Sequence, residues 1–186
     1  MLAAAAVAVV VVIAVVVVAV TRDSESGPET TSYTQHGGGM EPLLAEGDHF
    51  EAEVVDDYEP RRGDVIVFGD PGGWLGPDSS GGFLVKRVIG IPGETIVCCD
   101  ADGRLSVNGE PQDESGYIDL SGIDCAGPMT GCDWTAGPVP DDGLFVMGDH
   151  RNMSADSTIH MCREVSEDCD PDQAYVPVEL VRAVMK

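Results

Sequence analysis

The stretch from Gly81 to Gly93, "GGFLVKRVIGIPG", predicts a β-strand with turn residues at both ends. Its centre is rich in Val, Ile and Phe, which favour strands. Alternation along a strand divides six central residues between two faces: Leu84, Lys86 and Val88 on one, and Val85, Arg87 and Ile89 on the other. Lys86, one of only two lysines in the 186 residues, therefore shares a face with apolar neighbours.

Two interpretations of Lys86 follow from this strand. An amine buried among apolar side chains loses solvation in its charged form, and its pKa can fall by up to about 3–5 units. A neutral lysine is a general base at ordinary pH. Alternatively, Lys86 lies on an edge strand and its amine reaches water.

The rest of the chain after residue 36 shows the same strand-forming character. Short apolar runs are separated by Gly and Pro: "HFEAEVV", "DVIVF", "ETIVCC", "RLSVNG", "GLFVMG" and "AYVPVELVRAVM". No long segment with helical periodicity competes with them. We predict one mainly β domain over 36–186, built from short antiparallel strands and long loops. Within it, 94–143 forms a hairpin and loop subregion, because Asp-Gly and Asn-Gly pairs favour tight turns.

The N-terminus has a different composition. Residues Leu2 to Val20 include no polar side chain, and a helix of that length spans roughly 28 Å, close to the apolar thickness of a bilayer. We predict a transmembrane anchor over 1–20; the alternative is a cleavable secretory signal. The polar residues 21–35 are predicted to form a flexible stalk.

Six cysteines follow the anchor, which suits an oxidising compartment and therefore an extracytoplasmic domain. Two local disulfides are expected, Cys125 with Cys132 and Cys162 with Cys169. Cys98 and Cys99 are adjacent and do not fit this scheme. The formal net charge of −23 argues against a nucleic-acid partner. The sequence has no motif for a metal or another cofactor, and none is expected.

A second polar cluster, "MGDHRNMSADS" from Met147 to Ser157, follows the apolar run "GLFV". Its polar groups are able to satisfy one another in the turn that leaves a strand, which is one interpretation of the cluster.

Taken in order, four stretches resemble the sequence boxes of the bacterial type I signal peptidases: "GGMEPLLAEGD", "RRGDVIVF", "VKRVIGIPGE" with "VNGEP", and "MGDHRNMSADS" with "AYVPVELV". The resemblance runs from about Gly37 to Val184. Members of that family are membrane-anchored serine endopeptidases with a Ser/Lys dyad, which remove signal peptides from exported preproteins. It implies that this chain is a single-pass protein of the cell membrane with preproteins as partners.

The resemblance also implies roles for individual residues. Lys86 becomes the general base and Ser154 the hydroxyl that orients it. The remaining assignments are structural support from Asp149, Arg151 and Asp156, and an oxyanion site and cleft formed by Gly37, Met40, Pro42 and Val85.

The nucleophile does not follow the family pattern, because the position before Met40 is Gly39. A glycine has no oxygen that could attack a carbonyl. His36 and Thr34 are the nearest alternatives, but they are displaced by about 10–17 Å along an extended chain. The expected function is therefore an impaired endopeptidase. The alternative is a non-catalytic paralogue that binds signal-peptide segments or a paralogous signal peptidase, although three successive glycines should weaken such binding through ordering entropy.

Overall fold

The computed structural model describes residues 27–76, 82–118, 120–162 and 169–186. The predicted anchor over 1–20 and the first part of the predicted stalk lie outside these ranges. Within the described ranges, no helix has both the length and the apolar character needed to cross a bilayer.

The described chain is mainly β, as predicted. Its strands are β1 (Thr30–Thr34), β2 (His49–Val54), β3 (Val65–Gly69), β4 (Phe83–Gly90), β5 (Ile96–Cys98), β6 (Ser106–Val107), β7 (Glu110–Pro111), β8 (Trp134–Ala136), β9 (Gly143–Met147), β10 (Val176–Pro177) and β11 (Val181–Met185). Three short 3-10 helices also occur in the described ranges, at Ser157–His160, Pro171–Ala174 and Val178–Leu180.

Seven of these strands form one antiparallel sheet in the order β1-β2-β11-β3-β4-β9-β10. The strand that carries Lys86, β4, lies between β3 and β9, and Lys86 is paired with Ile66 of β3. The alternative in which Lys86 lies on an edge strand is therefore wrong. A central strand has neighbouring strands on both sides, so its side chains point into the packed layers above and below the sheet.

A smaller sheet, in the order β7-β6-β5-β8, forms within the 94–143 subregion. The turn between β6 and β7 contains Asn108 and Gly109, whose φ angles are 51° and 83°. Positive φ at both central residues is what the Asn-Gly pair favours, so this hairpin is confirmed.

The predicted stalk is wrong over its last residues. Thr30–Thr34 forms β1 and pairs in register with β2 along its whole length. The ring of Tyr33 packs against Phe50 and Phe83, with ring centroids 5.6 and 5.0 Å away. A polar edge strand has little hydrophobic pattern of its own, and this aromatic contact fixes it to the sheet.

The large sheet separates two buried clusters, as alternation predicts. Val65, Val67 and Val85 belong to one of them, together with Met40 and Ala183. The other is formed by Ile66, Phe68, Val88, Leu144, Val146, Val176, Val181 and Val184. A third cluster joins the small sheet to the end of β4 and to β9.

The six cysteines form three pairs in the structure. Cys125 is bonded to Cys132 and Cys162 to Cys169, with Cα atoms 5.9 and 5.8 Å apart. Cys98 is bonded to its neighbour Cys99. That the protein carries these bonds in an oxidising compartment remains a prediction, which is given a test below.

Candidate active site

Lys86 lies in the interior of the large sheet, with only 7% of its surface exposed. Its amine donates a hydrogen bond to the carbonyl of Val85 at 3.2 Å. Burial lowers the pKa of Lys86 below its ordinary value, and the negative charges of Asp156 and Asp149 oppose that change in part. The net effect favours the neutral amine, which is the form that can accept a proton.

The glycine loop, residues 37–39, faces this amine. A Cβ atom built on Gly39 would lie 3.5 Å from Lys86 Nζ and 3.6 Å from Ser154 Oγ, both ordinary contact distances. The backbone of Gly39 does not have a positive φ angle, whereas Gly37 has φ 83°. A side chain is therefore compatible with the backbone at residue 39 and strained at residue 37.

The glycine loop is held by hydrogen bonds to its carbonyl groups. Gln35 Nε2 donates to the carbonyl of Gly37 at 2.8 Å. The backbone N–H of His150 donates to the carbonyl of Gly39 at 3.2 Å, and His150 Nδ1 lies 3.0 Å from the carbonyl oxygen of Gly38. These contacts oppose the conformational freedom that three successive glycines would otherwise have.

Ser154 is fully buried, and its hydroxyl has no hydrogen-bond partner among the residues that the structure describes. An unpartnered buried hydroxyl is costly, and such a group in a native structure is a candidate for a functional role. Here it points toward the position that a side chain at residue 39 would occupy. The sequence assigned Ser154 to this place only through the family resemblance.

We call residues 148–156 the catalytic loop. It begins at Gly148, where a Cβ atom would lie within about 2 Å of both the Gly39 carbonyl oxygen and Ser154 Oγ. Only glycine permits this approach of the two loops. The role of Gly148 could not be predicted from the sequence, because a close contact between distant segments leaves no local pattern.

Asp156 braces the far end of the catalytic loop. Its carboxylate accepts hydrogen bonds from the backbone N–H of Gly148 at 3.0 Å and from the N–H and hydroxyl of Thr158 at 3.1 and 2.7 Å. The backbone N–H of Val146 donates to Ser157 Oγ nearby. Asp156 therefore joins the two ends of the loop; its role in supporting a catalytic site remains a prediction.

Asp149 and Arg151 do not satisfy each other, so the interpretation of the cluster as a self-contained turn is wrong. Asp149 accepts two hydrogen bonds from Arg87, at 2.8 and 2.6 Å. Arg151 pairs with Glu114, at 3.0 and 2.6 Å. Neither partner was predicted from the sequence. The position of Arg87 in an apolar strand indicates that it needs a buried acidic partner, but no local pattern identifies that partner.

The predicted cleft residues lie on both sides of the glycine loop. Met40 and Val85 are buried in the same apolar cluster. Pro42 contributes to a cavity of about 280 Å³ that Glu41, His150 and Asn152 also line. A role for Met40, Pro42 and Val85 in binding substrate remains a prediction.

The alternative nucleophiles have other contacts. Thr34 Oγ1 lies 2.9 Å from His49 Nδ1, and the His36 ring lies 6.2 Å from the ring of Phe83. Neither is among the atoms that surround the Gly39 position, which belong to Lys86 and Ser154.

Buried Lys86 and buried Ser154 thus face the same position in the glycine loop. Comparison with known proteins places the chain in a family. The family model described as signal peptidase, peptidase S26 matches residues 3–168. This chain belongs to that family.

Individual relatives agree with this assignment. A signal peptidase I from Leptolyngbya laminosa is 38% identical over 125 residues, which cover 63% of this chain and 54% of that protein. A signal peptidase I from Mycobacterium tuberculosis (strain CDC 1551 / Oshkosh) is 34% identical over 148 residues, covering 64% of this chain and 48% of that protein. The chain spans about half the length of these curated relatives.

A solved structure, of a signal peptidase I from Enterococcus faecalis V583, is similar over 69% of this chain and 98% of that one, with 25% identity and a TM-score of 0.45.

Proposed function

We propose that this chain is a signal peptidase I-like serine endopeptidase of the membrane whose turnover is impaired at one position, Gly39. The observation that carries the proposal is the distance from a Cβ atom at residue 39 to Lys86 Nζ, 3.5 Å, and to Ser154 Oγ, 3.6 Å. A hydroxyl one bond beyond that Cβ comes within hydrogen-bonding reach of both groups. The base and its orienter therefore face the position where the family pattern requires a nucleophile.

With a serine at residue 39, each group has a defined task. Neutral Lys86 accepts the hydroxyl proton as the serine oxygen bonds to the substrate carbonyl carbon. The C–N bond then breaks, and Lys86 returns the proton to the leaving amine. A water molecule repeats the sequence on the acyl-enzyme ester and releases the acid. Ser154 orients the amine throughout.

Without that serine, Lys86 can act only on water. It accepts a proton from a water molecule whose oxygen adds to the carbonyl carbon, and it returns the proton to the leaving amine as the C–N bond breaks. Sites that have lost a catalytic group retain about 10³–10⁴-fold acceleration over the uncatalysed reaction, far below an intact enzyme. We expect slow turnover of this kind.

The proposed substrates are exported preproteins, cut outside the cell membrane next to small side chains. The apolar run from Leu2 to Val20 supports a membrane location, and the six cysteines support an extracytoplasmic domain. We expect the chain from Arg22 onward to be extracytoplasmic, so protease added outside intact cells should remove the domain. Full protection of the domain would contradict this topology.

The central experiment compares the full chain with its Gly39→Ser variant on a peptide that contains an Ala-x-Ala cleavage site. We expect the variant to cleave faster by several orders of magnitude. Gly38→Ser is the matched control, because it adds the same hydroxyl one residue away, where the nearest atoms belong to Glu41. Efficient cleavage by the original chain, as fast as by Gly39→Ser, would indicate another nucleophile. Cleavage by neither protein would count against the proposal.

A binding role without turnover is the second candidate. The observation that favours it is the hydrogen bonding of all three carbonyls of the glycine loop, which keeps that side of the site formed without a nucleophile. The same peptide should then bind the original chain and Gly39→Ser with similar affinity in titration calorimetry. Binding without measurable cleavage by the original chain would favour this second function.

A further inference from the structure

Glu114 lies outside every segment that resembles the family boxes, yet it is buried beside the site. It is 5% exposed, and both its carboxylate oxygens accept hydrogen bonds from the guanidinium of Arg151, at 3.0 and 2.6 Å. The side chains of Glu114 and Arg151 are 4% and 1% exposed, respectively. A bidentate pair of this kind fixes orientation as well as distance.

From Arg151 the contacts continue into the catalytic loop. Arg151 Nε donates to the carbonyl of Gly148 at 3.0 Å, and Nη1 donates to the carbonyl of Ala126 at 2.7 Å. Gly148 is the residue whose missing Cβ allows the Gly39 carbonyl and Ser154 Oγ to approach. A displacement of the Arg151 guanidinium would therefore move Gly148 relative to the groups around Lys86.

A second set of contacts joins Glu114 to the other buried ion pair. The hydroxyl of Tyr117 donates to Glu114 Oε1 at 2.7 Å, and its ring lies 4.1 Å beneath the guanidinium of Arg87. Arg87 in turn binds both carboxylate oxygens of Asp149. One connected network of Glu114, Tyr117 and Arg87 thus holds the catalytic loop at two residues, Asp149 and Arg151.

We infer that Glu114 is a positioning residue, which holds the catalytic loop against Lys86 through Arg151. The inference rests on the proposed function, because it gives the 94–143 subregion a part in the same reaction. Burial of an ion pair is weak evidence for stability, since apolar side chains of similar volume stabilise as well or better. What the pair adds is a fixed position for Gly148, and through it for Ser154.

The primary variant is Glu114→Asp, which keeps the charge but shortens the side chain by one methylene and breaks the bidentate geometry. The carboxylates that act directly on the Lys86 amine, Asp156 and Asp149, are unchanged in it. Loosening of the loop admits water to Lys86, so we expect the Lys86 titration midpoint to move upward toward that of an ordinary lysine.

This shift can be measured on the full chain without any turnover. The chain has two lysines, Lys86 and Lys186, so protein labelled with ¹³C-lysine gives one signal to follow and one exposed reference. Glu110→Asp is the matched control, because Glu110 is exposed on β7 within the same 94–143 subregion. It should leave both lysine titrations unchanged. An unchanged Lys86 titration in folded Glu114→Asp overturns the inference.

A kinetic readout uses the Gly39→Ser background. There Glu114→Asp should lower kcat on the order of 10²-fold, with little change in KM, because misplacing a catalytic group by about 1 Å has an effect of that size. Glu114→Asp should also move the acid limb of the pH–rate profile to higher pH. A purely structural role would reduce the rate at every pH by the fraction of protein unfolded and leave the limb in place, which would overturn the inference.

Two further outcomes also decide the question. If Glu114→Asp does not fold, Tyr117→Phe removes only the hydroxyl donor to Glu114, and a smaller upward shift of Lys86 is expected; no shift overturns the inference. If Gly39→Ser shows no activity, the proposed function fails, and the titration of Lys86 still tests the position of Glu114 by itself.

Discussion

The two loops that meet at the site are held in different ways. The catalytic loop depends on side chains: Asp149 and Arg151 each lie in a buried ion pair, and Asp156 accepts three hydrogen bonds. The glycine loop contributes only its backbone, through carbonyls that accept hydrogen bonds from Gln35 and His150.

Under the proposed function, this difference explains how a chain without the nucleophile can keep the rest of its site. A side chain at residue 39 takes part in none of the hydrogen bonds that hold the glycine loop, so replacing it by hydrogen leaves the loop's own contacts intact. Removing a buried charge from the catalytic loop leaves its partner unsatisfied in the protein interior. Changes in the catalytic loop should therefore lower the stability of the fold, whereas a change of side chain at residue 39 should not.

The largest expected effect tests whether the glycine loop and Lys86 on β4 form one site. In the Gly39→Ser background, Lys86→Met should abolish the gain in cleavage, because the new hydroxyl loses its base. Loss of a nucleophile or its base from an assembled site reduces kcat by about 10⁶ in subtilisin. Steady-state rates on the same Ala-x-Ala peptide measure the effect. A gain that survives Lys86→Met would show that a hydroxyl at residue 39 acts without Lys86.

The next effect tests the dependence of the catalytic loop on charge. Asp149→Ala should lower the free energy of unfolding by about 3–5 kcal/mol, because it leaves Arg87 without its partner in a largely buried place. Gly38→Ser should change it by less than about 1 kcal/mol. Urea unfolding of both variants gives the comparison. Equal effects would mean that the two loops are held alike.

Two of the disulfides test whether contact with the catalytic loop adds to stability. Cys125–Cys132 and Cys162–Cys169 have the same sequence separation of 7, so loop entropy predicts the same stabilisation, about 2.5 kcal/mol each. Only the first closes around Ala126, whose carbonyl accepts a hydrogen bond from Arg151.

Replacing both cysteines of a pair by serine should therefore cost more stability for Cys125 and Cys132 than for Cys162 and Cys169. Thermal unfolding measures the difference. Mass spectrometry of the native, unreduced protein checks the premise, since six free thiols would show that none of the bonds forms.

The smallest effect concerns Lys86 itself. Unfolded, its amine titrates near the ordinary value of 10.5, and burial lowers the pKa in the folded chain. Between the two values the unfolded state binds more protons, so stability falls as the pH is lowered through that window. Each unit of separation contributes about 1.4 kcal/mol.

Lys86→Met removes this penalty, so it should be more stable than the original chain at pH 7, and the advantage should shrink toward pH 10.5. Urea unfolding at a series of pH values follows the difference between the two proteins. A variant that is less stable at pH 7 would show that the charged amine is well accommodated in the fold.

The residues that could be predicted from sequence are those whose surroundings follow from periodicity. Alternation in the strand around Lys86 predicts its apolar neighbours, and Leu84 and Val88 do pack in one cluster. The Asn-Gly turn is predicted because its backbone angles are a local property. The family pattern adds Ser154 and the departure at Gly39.

The partners of the catalytic loop could not be predicted in the same way. Arg87 pairs with an acid 62 residues away, and Arg151 with one 37 residues away. Such pairs are chosen by tertiary packing and leave no periodic signal in either segment. The strand Thr30–Thr34 was missed for a related reason, since an exposed polar edge strand is defined by the pairing of its backbone with β2.

The two facing glycines, Gly39 and Gly148, differ in the side chains that they tolerate. At Gly148 any side chain collides with the Gly39 carbonyl and with Ser154, so that position is closed to change. At Gly39 both the backbone conformation and the surrounding space admit a serine. Under the proposed function, the catalytic oxygen is one amino-acid substitution away, and no second change is needed to make room for it.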